Sequence, residues 1–427
     1  MLGRGAPGAS AVPPELLIFG GAAGPDDQAA SLFSSLVNIG ALVGAVCGGR
    51  LCKQAGRCNA LRAAAVLMGA CWWWVALATS ALHLCLARVV MGLGVGLQSV
   101  ATPTYIAEVS PPEWRGMLGT MNAGAILLGV MVVDFAGGSV FRAGPAREFC
   151  HWRQLACFVA VSAVVLLGAA AVLPEPSAGR RRSSAEQSPG PASPETPAIH
   201  LTPSESLLPP ARLVLGGLVP MVWQQLSGVN AVLFFGQSIL RAVGVAGADL
   251  LGVGVLAVQL CGIVVAACII DLVGRRPLLL GSSMGMAAGA GGLAVCLWLP
   301  EPPAVGVVGC LCVYVLSFSL GLGPVPWLLL PELDLPHQVR VTLASVATAA
   351  NWACSFVVTG PPLVALQGRC GLAGVFAVFC VVCLVGAVLM ALLVPETKAH
   401  QRRQGLERRF TFAFSPHGSL RSRFFTP

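Results

Sequence analysis

The chain has 427 residues, of which 56% are hydrophobic and 10% charged, against the roughly 25% charged residues of an average soluble domain. With a mean hydropathy of +0.80, this excludes a water-soluble globular fold and points to an all-α membrane protein. The formal net charge of +8 sits in short loops and a terminal tail, so it reads as a topology signal, and nucleic acid is not an expected partner.

Residues 1–30 carry only the short apolar run LLIFG and are expected to form an outer segment, because that run cannot span a bilayer. Apolar stretches long enough to cross, about 20 residues each, then follow. They lie near 31–52, 60–80, 82–107, 116–137, 154–173, 211–240, 248–272, 276–299, 304–331, 340–365 and 370–394, which makes eleven expected spans. In the third, Gly92, Gly94 and Gly96 are not a nucleotide-binding loop, since no strand precedes them, and Gly92 and Gly96 are read as a close helix-packing seam. Arg88 lies several residues inside that same span, where a guanidinium needs a partner or water. Residues 175–210, rich in Ser, Pro and charge, are expected to be a disordered cytoplasmic linker. Cys380 and Cys383 form a C-x-x-C within the last span and are read as packing residues. No metal or cofactor site is expected, and an enzyme is not.

Lys and Arg accumulate on the cytoplasmic side of membrane proteins. One set of alternate loops, with the C-terminal tail, holds nineteen of them, whereas the opposite set holds five. The C-terminus is therefore expected in the cytoplasm.

The chain also repeats itself. Gly56 in QAGRC corresponds to Gly274 in LVGRRP, Glu108 in EVSPPEWRG to Glu332 in PELDLPHQVRV, and Glu175 in LPEP to Glu396 in VPETK, at offsets of 218, 224 and 221 residues. A near-constant offset implies two homologous halves, the arrangement in which secondary transporters place a central site between rocking bundles. The halves are expected at 31–174 and 211–394, with a basic tail at 395–427. The counterpart of the second half's first span would fall before residue 1, so the first half is expected to hold five spans and the second six.

Within the span at 211–240 lies WQQLSGVN, residues 223–230. Gln224, Gln225 and Asn230 turn through too wide an arc to share one narrow face of a continuous helix, and Gly228 permits a break. Interrupted helices near the membrane midplane form transporter sites. Amides both donate and accept hydrogen bonds, which suits a neutral polyhydroxyl ligand.

These residues, together with DLVGRRPLLL, GPVPW, PEL, VPETK, YIAEVSPPEWRG and Arg88, resemble the sugar porter family of the major facilitator superfamily. The resemblance runs from the first predicted span through VPETK. It implies a major facilitator fold and alternating-access transport of a small neutral sugar, a monosaccharide of the hexose class, facilitative or proton-coupled; the alternatives are a polyol or disaccharide carrier and a non-transporting sugar sensor. It further implies sugar contacts at Gln224, Gln225, Asn230, Gln259, Trp327 and Asn351, and an outer gate at Phe234 and Phe235. A cytoplasmic ion-pair latch is implied in which Glu108 meets Arg115, Glu332 meets Arg340, and Arg275 or Arg276 meets nearby acids. In proton-coupled members the position of Arg88 takes part in coupling. Ala123 stands where most members place a sugar-contacting Gln, and Lys53 where an acid or amide is usual. Ser319, Ser355 and Gln259 resemble the intracellular animal hexose transporters, plant vacuolar sugar carriers and insect trehalose carriers, so the expected location is the plasma membrane or an endomembrane such as the vacuole.

Overall fold

The computed structural model describes residues 25–111, 114–136, 151–176, 210–244, 248–333 and 335–396, with a few side chains inside these ranges, those of Phe234 and Phe235 among them, outside the described set. Most of the segments expected at 1–30 and 175–210, and all but the first two residues of the tail at 395–427, lie outside it too. Among the described residues the secondary structure is helical, with no strand. The helices are α1 (Pro25–Gln54), α2 (Arg57–Leu77), α3 (Ala81–Val109), α4 (Arg115–Phe135), α5 (His151–Val172), α6 (Pro210–Leu226), α7 (Val229–Ala242), α8 (Ala248–Val273), α9 (Arg275–Trp298), α10 (Ala304–Leu320), α11 (Val325–Glu332), α12 (His337–Thr359) and α13 (Pro361–Leu393).

Ten segments among the described residues are long and apolar enough to cross a membrane, one fewer than the apolar runs predict. The difference lies at 211–240. There the run is divided into α6, of 17 residues, and α7, of 14, each short of the about 20 residues a continuous span needs. The expected span at 304–331 is interrupted as well, between α10 and α11, although both parts run on as one segment. Helix α13 bends at Gly371, whose φ of 68° and ψ of 179° are not helical, and the apolar segment it belongs to starts at Pro361, ahead of the span expected at 370–394.

The two halves use equivalent contacts. In the first, α1 packs on α3, α2 on α3, and α2 on α5; in the second, α8 packs on α10, α9 on α10, and α9 on α13. The halves meet along α1 with α12 and along α4 with α8. The larger core belongs to the second half, around Met221, Met286, Tyr314 and Phe376. A smaller one in the first half gathers Phe33, Cys71, Met91 and Ala156.

Contact between α1 and α3 depends on glycine. A Cβ on Gly92 would lie 2.2 Å from the Val37 carbonyl, one on Gly96 2.2 Å from that of Ala41, and one on Gly40 1.9 Å from that of Val89. The seam read from the sequence is thus a backbone-to-backbone approach that no side chain would permit.

The repeat extends to individual hydrogen bonds. At the start of α2 the Glu175 carboxylate accepts from the amides of Arg57 (2.6 Å) and Cys58 (3.0 Å). At the start of α9 Glu396 accepts from those of Arg275 (3.3 Å) and Arg276 (3.2 Å). An anion there satisfies amides that have no intrahelical acceptor and complements the helix dipole. Each cap needs a glycine just before the helix: Gly56 has φ 93° and Gly274 φ 108° with ψ 164°. A Cβ on either would also strike the capping carboxylate, at 2.5 Å and 2.9 Å respectively.

Gly274→Ala is expected to lower stability by about 1–3 kcal/mol from backbone strain alone, read as the thermal midpoint of purified protein in detergent. Partial burial raises the Glu175 pKa, but the two amides and the neighbouring Arg57 and Cys58 side chains outweigh it and hold the carboxyl below its usual range. A depressed carboxyl contributes stability that is complete above its unfolded pKa and disappears as pH falls through the folded value. Amide exchange in the first turn of α2 should accelerate only in that acid window, and Glu175→Gln should remove the transition.

Candidate functional site

The break between α6 and α7 is a tight turn. The Gly228 amide donates to the Gln225 carbonyl at 2.9 Å and that of Ser227 to the Trp223 carbonyl at 2.9 Å. Gly228 is left-handed (φ 92°, ψ 10°), and a Cβ there would lie 2.4 Å from the Phe379 ring, so conformation and space both demand glycine. Tyr314 on α10 fixes the turn from outside by donating from its hydroxyl to the Ser227 carbonyl at 2.6 Å.

Around this turn the expected amides converge. The Gln225 Nε2 donates to Asn351 Oδ1 on α12 at 3.0 Å, and Asn230 Nδ2 donates to Gln225 Oε1 at 2.7 Å. Asn351 Nδ2 donates to Gln224 Oε1 at 2.9 Å and to the Met221 carbonyl at 2.6 Å. Gln224 Nε2 reaches the carbonyls of Leu322 (2.7 Å) and Gly323 (2.8 Å) in the break between α10 and α11. Gln224, Gln225 and Asn351 are 3%, 7% and 0% exposed. Such groups must be paired, and here they pair with one another. Each of these bonds can be exchanged for a hydroxyl that both donates and accepts.

Other expected site residues are placed apart from this network. Gln259 on α8 is buried, and its Oε1 has no hydrogen-bond partner among the described residues. Trp327 opens α11 and lines a small cavity with Pro103, Ala107, Arg115, Asn122 and Pro331. Asn122 therefore faces that cavity, while Ala123 packs beside Leu127 and Ile263 in the contact with α8. The amide missing at Ala123 is offered one residue earlier, on a different face of α4. Arg88 has its guanidinium carbon 4.8 Å from the ring centre of Phe33 on α1, a cation–π contact that answers the need for a partner within the span. The outer-gate expectation for Phe234 and Phe235 falls on side chains outside the described set.

Of the charges expected to form a latch, Arg275 meets nearby acids as expected, whereas Glu108 and Glu332 take other partners than Arg115 and Arg340. Glu108 receives Arg57 Nη2 at 2.6 Å, rather than Arg115, because the start of α2 lies against the end of α3. Arg115 lines the cavity instead, with its Nε buried and without a hydrogen-bond partner. Glu332 receives both Nε (3.0 Å) and Nη2 (2.7 Å) of Arg275, a bidentate fork that takes the place expected for Arg340; Arg340 sits in the first turn of α12. The Arg276 guanidinium donates to the Ala391 carbonyl. Arg57 and Arg275 correspond in the repeat and also donate to corresponding carbonyls, of Cys52 at 3.2 Å and Ile270 at 2.9 Å. These ion pairs thus tie helices within one half.

One link between the halves on this side runs through Asp271. It lies 3.1 Å from Arg275 Nη1, and its Oδ2 accepts from the Met117 amide at the start of α4 at 3.1 Å. Gly116 permits the approach, since a Cβ there would lie 2.1 Å from Asp271 Oδ1. The position equivalent to Asp271 in the first half is Lys53, whose Nζ donates to Thr342 Oγ1 near the start of α12 at 3.2 Å. One interface therefore has an anion at a helix N-terminus and the other a cation in the last turn of α1, and the helix dipole favours both placements.

A family model described as "Sugar (and other) transporter" matches residues 16–186 and 206–404. The chain belongs to the sugar transporter family. This transporter is 30% identical over 402 residues to "Sugar transporter ERD6-like 6" of Arabidopsis thaliana, covering 86% of this chain and 80% of the relative. It is 31% identical over 413 residues to "Facilitated trehalose transporter Tret1" of Culex quinquefasciatus, covering 87% and 76%. Its fold is similar to that of the major facilitator proton:xylose symporter XylE bound to 6-bromo-6-deoxy-D-glucose, with a TM-score of 0.75 and 23% identity over 89% of this chain and 90% of the other. It is a multi-pass membrane protein of the major facilitator fold and a carrier rather than an enzyme.

Sequence reasoning passed over Arg57, Asp271, Asn38 and Tyr314 in the transporter. The position of Arg57 beside Gly56, repeating Arg275 beside Gly274, is the signal that would have found the first. Removing the Glu332 charge from the buried Arg275–Glu332 pair, which are 2% and 1% exposed, leaves Arg275 with Asp271 as its acid. Glu332→Gln should therefore cost about 1.5–3 kcal/mol, the worth of a hydrogen bond to a charged group, seen as a lowered unfolding midpoint in lipid nanodiscs.

Proposed function

We propose that the protein carries a neutral monosaccharide of the hexose class across the membrane by alternating access, binding it at Gln224, Gln225, Asn230 and Asn351. The observation that carries this reading is the buried ring of amides at a helix break, bonded to one another and without a fixed cation to select an anion. A hexose offers several hydroxyls at spacings that amides can meet in place of each other. Gln259, with an unanswered acceptor, takes a further hydroxyl, and Trp327 supplies an apolar face for the pyranose ring on the way to the cytoplasm. Phe234 and Phe235 are assigned to the outer gate.

Transport is facilitative or coupled to protons, and Arg88 is the residue assigned to coupling. The C-terminus is assigned to the cytoplasm, and the protein to the plasma membrane or an endomembrane such as the vacuole. The cytoplasmic charges, with Asp271 as the link between halves, are assigned to a latch that breaks as the inner side opens. A disaccharide is the second reading, favoured by the similarity to trehalose carriers.

Uptake of radiolabelled glucose into a host lacking its own hexose carriers should rise on expression, and Gln225→Ala or Trp327→Ala should abolish the increment. Competition by excess unlabelled trehalose decides between the two substrate readings. No uptake of either sugar by protein shown to be in the membrane would overturn the proposal.

A further inference from the structure

The amide network does not end in the half that contains it. Asn230 Nδ2 donates not only to Gln225 but also to Ser355 Oγ on α12 at 2.9 Å. The Ser355 hydroxyl then donates to Asn38 Oδ1 on α1 at 3.3 Å, crossing to the other half. Asn38 Nδ2 completes the clasp by donating to Thr359 Oγ1 on α12 at 3.0 Å, and the Thr359 hydroxyl turns back to the Ser355 carbonyl at 2.7 Å. Asn38, Ser355 and Thr359 are at most 2% exposed. The α1–α12 contact also runs to the opposite end of these helices, where Lys53 meets Thr342.

From this chain of bonds we infer that Asn38 is a positioning residue that couples occupancy of the amide site to separation of α1 from α12. The inference rests on the amides being the sugar site. In the described arrangement Asn230 spends its donors on Gln225 and Ser355, and Asn38 holds α1 closed against α12. A sugar hydroxyl that takes over Asn230 strips the Ser355 oxygen of its donor, and the Ser355 hydroxyl then shifts its own donation from Asn38 to the sugar oxygen. The clasp loses one of its two strands. Conversely, separating α1 from α12 with no sugar in place breaks the bonds of Asn38, and stripping a buried polar group of its bond is costly. Sugar and Asn38 therefore compete for the Ser355 hydroxyl. An empty carrier rests clasped and an occupied one is released.

The test uses the full chain in lipid nanodiscs and proteoliposomes, with D-glucose and then trehalose as probes. Asn38→Ala should bind sugar about three- to tenfold more tightly, the equivalent of one ordinary hydrogen bond, and turn over more slowly because the empty form no longer reclasps. KM and maximal rate should fall together, whereas a merely structural defect weakens binding. Amide exchange at 36–40 and 353–359 should rise on adding sugar to the parental protein. In Asn38→Ala it should be high already and unmoved by sugar. Asn38→Ser, which keeps a hydroxyl that donates and accepts, should lie between. Thr359→Val cuts the same clasp from α12 and should reproduce the tighter binding if Asn38→Ala is poorly made. Sugar binding that requires Gln225 but is unchanged in Asn38→Ala and Thr359→Val, with exchange at both segments indifferent to sugar, would overturn the coupling and leave the site intact. Absence of sugar binding in the parental protein would overturn the site and the coupling with it.

Discussion

Hydrocarbon offers a polar group no solvent partner, and the arrangement of this protein follows from that constraint. Each buried amide of the Gln224–Gln225–Asn351 cluster is answered by another amide, a backbone carbonyl or a hydroxyl. Where the backbone must itself be interrupted, its carbonyls take side-chain donors: Ser227 at the Gly228 break accepts from Tyr314, and Gly323 between α10 and α11 accepts from Gln224. A binding site in this setting cannot be an empty polar hole. It is a set of bonds that can be exchanged one for one, so the free energy of binding is a difference between two well-satisfied states.

The two halves repeat one construction, a carboxylate cap and an arginine–glutamate pair at the same end of each bundle, but at unequal strength. Arg275 uses Nε, Nη1 and Nη2, whereas Arg57 makes a single bond to Glu108 and leaves its Nε without a hydrogen-bond partner. Asp271 reaches across to α4 through an anion–amide contact, while the corresponding Lys53 reaches α12 through a hydroxyl. The interface between α4 and α8 thus carries an anion at a helix N-terminus, and that between α1 and α12 a cation at a helix C-terminus.

Much of this was legible in the residue order. Apolar length gave the spans to within a few residues, except where glycine and proline divided them. The offset between Gly56 and Gly274 gave the repeat down to matching backbone contacts, because the cap chemistry needs the same glycine, arginine and carboxylate in each copy. The amides around Gly228 stood out because polar groups in an apolar run have few structural uses. Partners were less legible. The family resemblance implies Arg115 as the partner of Glu108, but antiparallel packing of α2 on α3 brings Arg57 closer. Asn38 gave no signal, since one asparagine in a span is commonly interhelical glue. Only the arrangement of α1 against α12 shows that its bonds lead to Asn230.

The glycine seam between α1 and α3 has a mechanical meaning. With Gly40, Gly92 and Gly96 allowing carbonyls to sit where side chains would be, neither helix can slide or roll on the other without a collision of main-chain atoms, and close-packed contacts of this kind yield little. The pair behaves as one stiff lever. A displacement imposed at Asn38 is delivered along its whole length to Lys53 and the loop that begins α2, some 15 residues away along α1, about 22 Å at helical rise. The flexible joint must then lie on the other side of α1, where small hydroxyl residues of α12 meet it.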